Sequence, residues 1–356
     1  MSYIAFQEDD SVMSSDSITA GLWTNNVYNL TTFFTSSVQQ IGTTGKYYLN
    51  VYNLSVGSSG SEVQCALAYG HVSGSGSALF NSLVNEKSPT RDIYGQYRNL
   101  VYGDESTIFN FGSSANVGSS CAPIAGSTAG YSRDIFAITI NRSKYKEKVN
   151  TGTWNLILNN GGTTIQLTDN SKDSSTTNFI AGNRFYYIVS GSNGNSYNAT
   201  AVQTASGSYG LFFPDMGVFI LNPRALALSS ANFGIGMTID ETAAGSYSAA
   251  YNINSDRLFR VINAGLSFKA NSEETISARY FFVNAKSSQL NYTTNPSIID
   301  NNGNVLYATL IDSPQVFPTT IGLYNDANEL LAVAKLSKPL PKDFTKQITC
   351  RVKLEF

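Results

Sequence analysis

Apolar and polar positions alternate along much of this chain with the two-residue period of a half-buried strand. The pattern begins at 47–54 (YYLNVYNL) and resumes at 62–69 (EVQCALAY), across the turn Gly57-Ser-Ser-Gly60, as an antiparallel pair. Residues 134–140 (DIFAITI) read as a strong strand, and 184–190 (RFYYIVS) as another. Segments 153–158 and 163–168 flank Gly161-Gly162 as a hairpin. Residues 209–221 are apolar on both sides of Pro214-Asp-Met-Gly217. Beyond a boundary at 240–256 come 258–262 (LFRVI), 266–270 and 275–285, the last rich in β-formers. The chain closes with 319–324, the turn Asn325-Asp-Ala-Asn328, 329–335 and 347–356 (QITCRVKLEF), whose alternation predicts a strand paired in a sheet.

One helix stands out at 89–101, with Ser88 as cap and Pro89 at the first helical position. Ile93, Tyr97, Leu100 and Val101 share a face, and Gly95 weakens the pattern. The expected fold is therefore mainly β: antiparallel sandwich-like domains with long loops and one or two short helices. The expected division is an N-terminal arm at 1–40, a β-rich domain with the helix at 41–128, a β-rich domain at 129–240 and a C-terminal β domain at 241–356.

Composition narrows the chemistry. Charged residues are 13% of the 356, about half the usual quarter for soluble domains. With 23 basic and 25 acidic side chains the net charge is −2, so bulk charge attracts neither nucleic acid nor an anionic membrane. The opening MSYIAFQEDD lacks the basic and apolar regions of a signal peptide, and no window approaches a membrane span. Cys65, Cys121 and Cys350 are scattered, as free thiols in a chain made in a reducing cytoplasm would be.

His71, the single histidine, lies in a Gly/Ser-rich stretch and reads as an exposed loop position, not as a catalytic base. One histidine and three distant cysteines make no zinc motif. Gly42-Thr-Thr-Gly45-Lys46 shares its Gly-Lys with a phosphate loop, but Tyr47 takes the place of the Mg²⁺-binding hydroxyl. Asp215, Asp240 and Asp300 stand beside turn residues, where aspartate bonds its own backbone. Asn302-Gly303 reads as a hairpin turn within an incomplete calcium-loop pattern. No catalytic, cofactor-binding or metal-binding residue is expected.

The densest charge feature is Arg142, Lys144, Lys146 and Lys148, with Tyr145 and Glu147 between them. It reads as a solvated turn after a strand or, more sharply, as a contact for an acidic face on a neighbouring subunit. Phe356, at the end of the last strand, is a second expected interface position. Tyr197, Tyr247, Tyr251 and Tyr292, in polar loops, suit either protein or sugar contacts.

Several segments, in matching order, resemble structural proteins of T4-like contractile-tailed phages, especially those of marine cyanobacteria and related hosts. They include 133–148 (RDIFAITINRSKYKEK) followed by Gly152-Thr-Trp154, 210–222 (GLFFPDMGVFILN), 278–285 (ARYFFVNA) with 291–296 (NYTTNP), and 319–336 (TTIGLYNDANELLAVAKL). Toward the N-terminus, 65–77 (CALAYGHVSGSGS) and 93–100 (IYGQYRNL) look like the same family. Its members are uncharacterised virion structural proteins.

The resemblance implies a non-enzymatic subunit of the tail, baseplate or neck, made in the host cytoplasm and resident in the virion. Its expected partners are other phage virion proteins and copies of itself. The alternatives are a host-glycan-binding tail-fibre adhesin and a carboxylate-dependent polysaccharide hydrolase.

Overall fold

In a computed structural model the described residues are 4–35, 48–74, 89–112, 130–173, 178–197, 207–239 and 253–355. They fall into two compact units, Ile18–Glu274 and Met1–Ser17 with Thr275–Phe356. In chain order the strands are β1 (Ser11–Gly21), β2 (Asn29–Leu30), β3 (Phe34–Thr35), β4 (Tyr48–Tyr52), β5 (Val63–His71), β6 (Phe109–Asn110), β7 (Tyr131–Ser132) and β8 (Asp134–Ile140). There follow β9 (Lys148–Val149), β10 (Asn155–Asn160), β11 (Thr163–Asp169), β12 (Asn178–Ile180), β13 (Asn183–Ser192), β14 (Asn195–Ser196), β15 (Gly210–Phe213) and β16 (Val218–Leu221). The last five are β17 (Phe268–Lys269), β18 (Asn271–Ala285), β19 (Thr320–Tyr324), β20 (Leu330–Lys335) and β21 (Ile348–Glu355). The helices are α1 (Pro89–Tyr102), α2 (Pro223–Ala227), α3 (Ile253–Gly265) and α4 (Ala308–Asp312). The architecture is mainly antiparallel β, as the alternation predicts.

The larger unit is built on one curled sheet, ordered β2-β17-β10-β11-β13-β15-β16-β8-β5-β4-β3. Strands from the expected 41–128 and 129–240 domains share it, with β5 and β8 paired from Cys65↔Ile140 to His71↔Asp134. Its two end strands, β2 and β3, are joined by residues 31–33 alone, so the ends lie within about 14 Å along the chain. Helix α3 touches β10 near one end and β4 and β5 near the other, which requires the sheet to curl around it.

Period-2 alternation divides the side chains between two cores. Phe136 and Ile138 of β8, Phe212 of β15 and Phe219 of β16 point to the side that holds α3. Ile135, Ala137, Leu211, Phe213, Val218 and Ile220 point to the side that holds α1. Both faces of β15 and β16 are covered, so these strands read as unbroken apolar runs rather than alternating ones. Trp154 anchors the inner core edge-on against Phe219, at 4.8 Å between ring centres.

Three sequence expectations change here. Within the expected arm at 1–40 the described residues 4–35 are not irregular: β1 is an 11-residue strand, and Leu22, Trp23, Leu30 and Phe33 belong to the inner core. Most of β1 is exposed, so it lacks the apolar alternation that would mark it. Residues 258–262 are helical, within α3; Leu258, Val261 and Ile262 have the i, i+3, i+4 spacing of a buried helix stripe. Helix α1 lies where expected, but Thr90, Tyr94 and Val101 are its buried residues, while Leu100 is 46% exposed. Gly70 explains the rotation, because a Cβ there would sit 2.8 Å from the Tyr94 amide nitrogen. Ser88 lies outside the described residues.

In the smaller unit, β18 pairs with β21 from Ala278↔Glu355 to Ala285↔Ile348, and β19 pairs with β20 as a separate two-stranded hairpin. Lys342 is 1% exposed, and its ammonium donates to Ser287 O (3.0 Å), Asn291 Oδ1 (2.7 Å) and Asp343 O (3.1 Å). This clamp ties loop 286–292 to the segment before β21.

A buried acid fastens the larger unit. Asp169, at the end of β11, accepts the Gly152 amide on both oxygens, at 3.0 and 2.8 Å. Burial outweighs those bonds and pushes its carboxyl up to about 6. The folded chain therefore binds more protons than the unfolded chain between about pH 4 and 6, and this group's contribution to stability falls as pH rises through that window. Urea unfolding should show that Asp169→Asn removes a downward slope worth up to about 3 kcal/mol over the window. Identical pH profiles for the two proteins would contradict this assignment.

Candidate functional site

The basic segment follows β8 as a tight turn, with Asn141 Oδ1 accepting the Ser143 amide at 3.1 Å. Each charge then finds a partner inside the larger unit. Arg142 lies over the Tyr145 ring at 4.5 Å and donates to the Tyr145 and Lys146 carbonyls at 2.5 and 2.6 Å. The Lys144 side chain is only 8% exposed; its ammonium pairs with Glu62 and donates to Thr24 Oγ1 at 2.7 Å. That pairing holds the Glu62 carboxyl below its ordinary range. Lys146 pairs with Glu274 at 2.8 Å, and Lys148 with Glu273 at 3.6 Å.

These four residues thus lie together and each is engaged: Lys144 latches the segment to Glu62 and Thr24, Arg142 fixes the turn itself, and Lys146 and Lys148 pair with Glu274 and Glu273. Gly217 completes the packing: its φ is +61° and a Cβ would meet the Tyr145 ring at 2.8 Å. Beside Arg142 and Tyr145 a hollow of about 440 Å³ opens, also bordered by Asn50, Thr139 and Met216. Phe356 lies outside the described residues.

His71 is not an exposed loop residue. It ends β5, is 6% exposed and stands opposite Asp134 of β8. The Val72 amide bonds Arg133 O at 2.7 Å, which makes the His71–Asp134 pair a non-hydrogen-bonded one, where cross-strand side chains come closest. Asp134 is fully buried, receives Ser132 Oγ–H at 2.8 Å and Tyr69 O–H at 3.3 Å, and has Arg224 Nε at 3.5 Å.

A serine relay places histidine between hydroxyl and carboxylate. Here the Ser132 hydroxyl sits on the carboxylate itself, and His71 Nδ1 accepts the Ser73 amide at 3.1 Å. The cluster braces the strand ends. Composition around His71 hid this, because the Gly/Ser run begins only where β5 stops.

The carboxylates singled out in the sequence are occupied locally. Asp215 pairs with Arg184 at 2.6 Å, and Asp300 accepts the Asn302 and Asn304 amides at 2.9 and 2.7 Å. Those bonds hold the Asp300 carboxyl below its ordinary range, the Asn304 contacts being the main cause. Asp240, Tyr247, Tyr251, Cys121 and Gly42 to Lys46 lie outside the described residues. Burial pushes the Cys65 thiol up to about 12, far from a reactive thiolate. Tyr197 is exposed and donates to Gln166 Oε1 at 2.7 Å; Tyr292 is exposed. Among the described residues no group of three His, Cys, Asp or Glu could hold a metal ion, and no helix is long and apolar enough to cross a membrane.

Two further surfaces expose aromatic or apolar side chains. A hollow of about 390 Å³ in the larger unit is faced by Tyr102, Tyr131, Phe179 and Tyr187, with Asn110 and Asn178 among them. Phe179 is 64% exposed. In the smaller unit the described apolar side chains that reach full burial are Ala278, Leu323 and Val352. Against them stand Leu330, Leu331, Val333, Ile311, Phe317 and Phe344, each more than half exposed. Alternation located β19 and β20 but could not show that their apolar residues lack cover, because cover comes from tertiary packing.

The chain matches no family model, no curated protein and no solved structure.

The latch geometry has a direct consequence. Lys144→Ala strands a buried amine's partners, whereas Lys146→Ala removes an ammonium that is 78% exposed, the kind of surface pair worth little. Thermal unfolding should place Lys146→Ala near the parent chain and Lys144→Ala clearly below it. Equal midpoints would mean that the segment is a solvated patch after all.

Proposed function

We propose that this chain is a non-enzymatic structural subunit of a contractile-tailed phage virion, in the tail, baseplate or neck. The observation that carries the proposal is the uncovered apolar surface of the smaller unit, which among the described residues buries three apolar side chains and exposes more. Solvated apolar surface of that kind marks contact sites in soluble proteins. The subunit would work by burying it against other virion proteins and copies of itself, with no chemistry required. The curled sheet supplies a rigid body, and the low charge content suits broad, fairly polar contacts. The sequence resemblance to virion structural proteins supports the same reading, with synthesis in the host cytoplasm and residence in the particle.

A second reading, a host-glycan-binding adhesin, is favoured by the aromatic hollow at Tyr102, Tyr131 and Phe179. Aromatic faces stack on sugar rings, and the Asn110 and Asn178 amides offer hydroxyl partners.

Mass spectrometry of purified virions, combined with antibody labelling, tests both. The structural reading expects the chain in stoichiometric amount with label on the tail body, and its absence from particles overturns it. Label confined to distal fibres favours the adhesin.

A further inference from the structure

Among the described residues the β19–β20 hairpin pairs with no third strand, and an isolated two-stranded hairpin is marginal in water. Its register runs from Thr320↔Lys335 to Tyr324↔Leu330, with a shift beside Leu323 and Tyr324. That bulge accounts for two consecutive exposed leucines, Leu330 at 53% and Leu331 at 66%. Val333 is 59% exposed. The Leu336 amide bonds Thr319 O at 2.8 Å, so by alternation the main-chain groups of Lys335 and Val333 point away from β19 toward an open edge.

The charges identify an occupant. Glu329 and Lys335 bracket the uncharged run 330–334, which is symmetric in length about Ala332. Glu329 is fixed at the strand entrance: its Oε2 accepts Asn325 Nδ2 at 2.7 Å and its amide donates to Asn325 Oδ1 at 2.8 Å. A two-fold axis near Ala332 lays a second β20 antiparallel to the first. It then brings Glu329 of each copy to Lys335 of the other, with the leucines and Val333 enclosed between two ion pairs. A parallel or translated arrangement sets like charges together or leaves both ends unmatched.

We propose that β20 is a self-complementary edge through which two copies of this chain associate about a two-fold axis. This deepens the assembly reading by naming one partner. Such an isologous contact uses the same patch on both subunits, so each ion pair occurs twice and one substitution changes both.

The test is sedimentation equilibrium on the purified full chain and on Glu329→Lys, Lys335→Glu and the double reversal. Both positions are exposed, and the Glu329 amide bond to Asn325 Oδ1 that closes the turn is kept in every variant. The parent chain is expected to dimerise, each single reversal to weaken dimerisation about tenfold or more, and the double reversal to restore it. A parent chain that stays monomeric, or association equal in all four proteins, overturns the proposal. A monomeric chain that still enters virions removes the self-pairing and leaves the assembly reading intact. A dimer with the expected reversal pattern that is absent from virions upholds the edge and counts against that reading.

Discussion

Closure of the curled sheet is the constraint on which the larger unit depends. The end strands β2 and β3 are consecutive in sequence, and the segment between them is pinned by Thr32 Oγ1 on Asn53 O at 2.8 Å. Trp23 completes the seam. Its indole N–H donates to Phe268 O at 2.7 Å, and the rings lie 4.9 Å apart. One residue later, the Thr24 amide donates to Gln64 Oε1 at 3.0 Å, on β5 toward the opposite end of the sheet. Residues 22–33 therefore join both ends of the sheet, where β2 pairs with β17 and β3 with β4. With closure comes a continuous inner core from Leu49 and Leu67 round to Leu156 and Phe268.

Polar chemistry in this unit is spent on holding segments in place. Lys144 with Glu62, Asp169 with the Gly152 amide and Asp134 with Tyr69 join separate chain segments, while Arg142 with the Tyr145 and Lys146 carbonyls and Asp134 with Ser132 fix local turns. A chain with only 13% charged residues has few left over. The smaller unit reverses the balance. One lysine, Lys342, is buried and satisfied, while leucines, valine and phenylalanines face water. Exposed apolar surface is thus concentrated in the smaller unit, and buried polar latches in the larger.

Period-2 patterning made β4, β5, the β10–β11 hairpin and β21 legible, and β8, buried on both faces, showed as an apolar run between turn residues. It missed α3 because LFRVI, taken as five residues, fits a strand as well as a helix turn; only the longer window from Ile253 shows the helical stripe. The N-terminal segment escaped because its core residues, Leu22, Trp23, Leu30 and Phe33, are spaced irregularly and satisfy tertiary, not local, demands. The basic run was visible as charge, but its acidic partners Glu62, Glu273 and Glu274 lie far away in sequence, and only the fold brings them near. His71 reads as a loop position in the sequence for the same reason, since its neighbour Asp134 arrives through β8.

The larger unit holds its own core, whereas the apolar residues of the β19–β20 hairpin face water in the single chain. Hydrogen exchange read by mass spectrometry, on the isolated chain diluted below any association, tests this contrast most directly. Segments 134–140 and 218–221 should exchange at the slow rate set by global unfolding, and 320–335 orders of magnitude faster. Protection of 320–335 equal to that of 218–221 in the dilute chain would contradict the account.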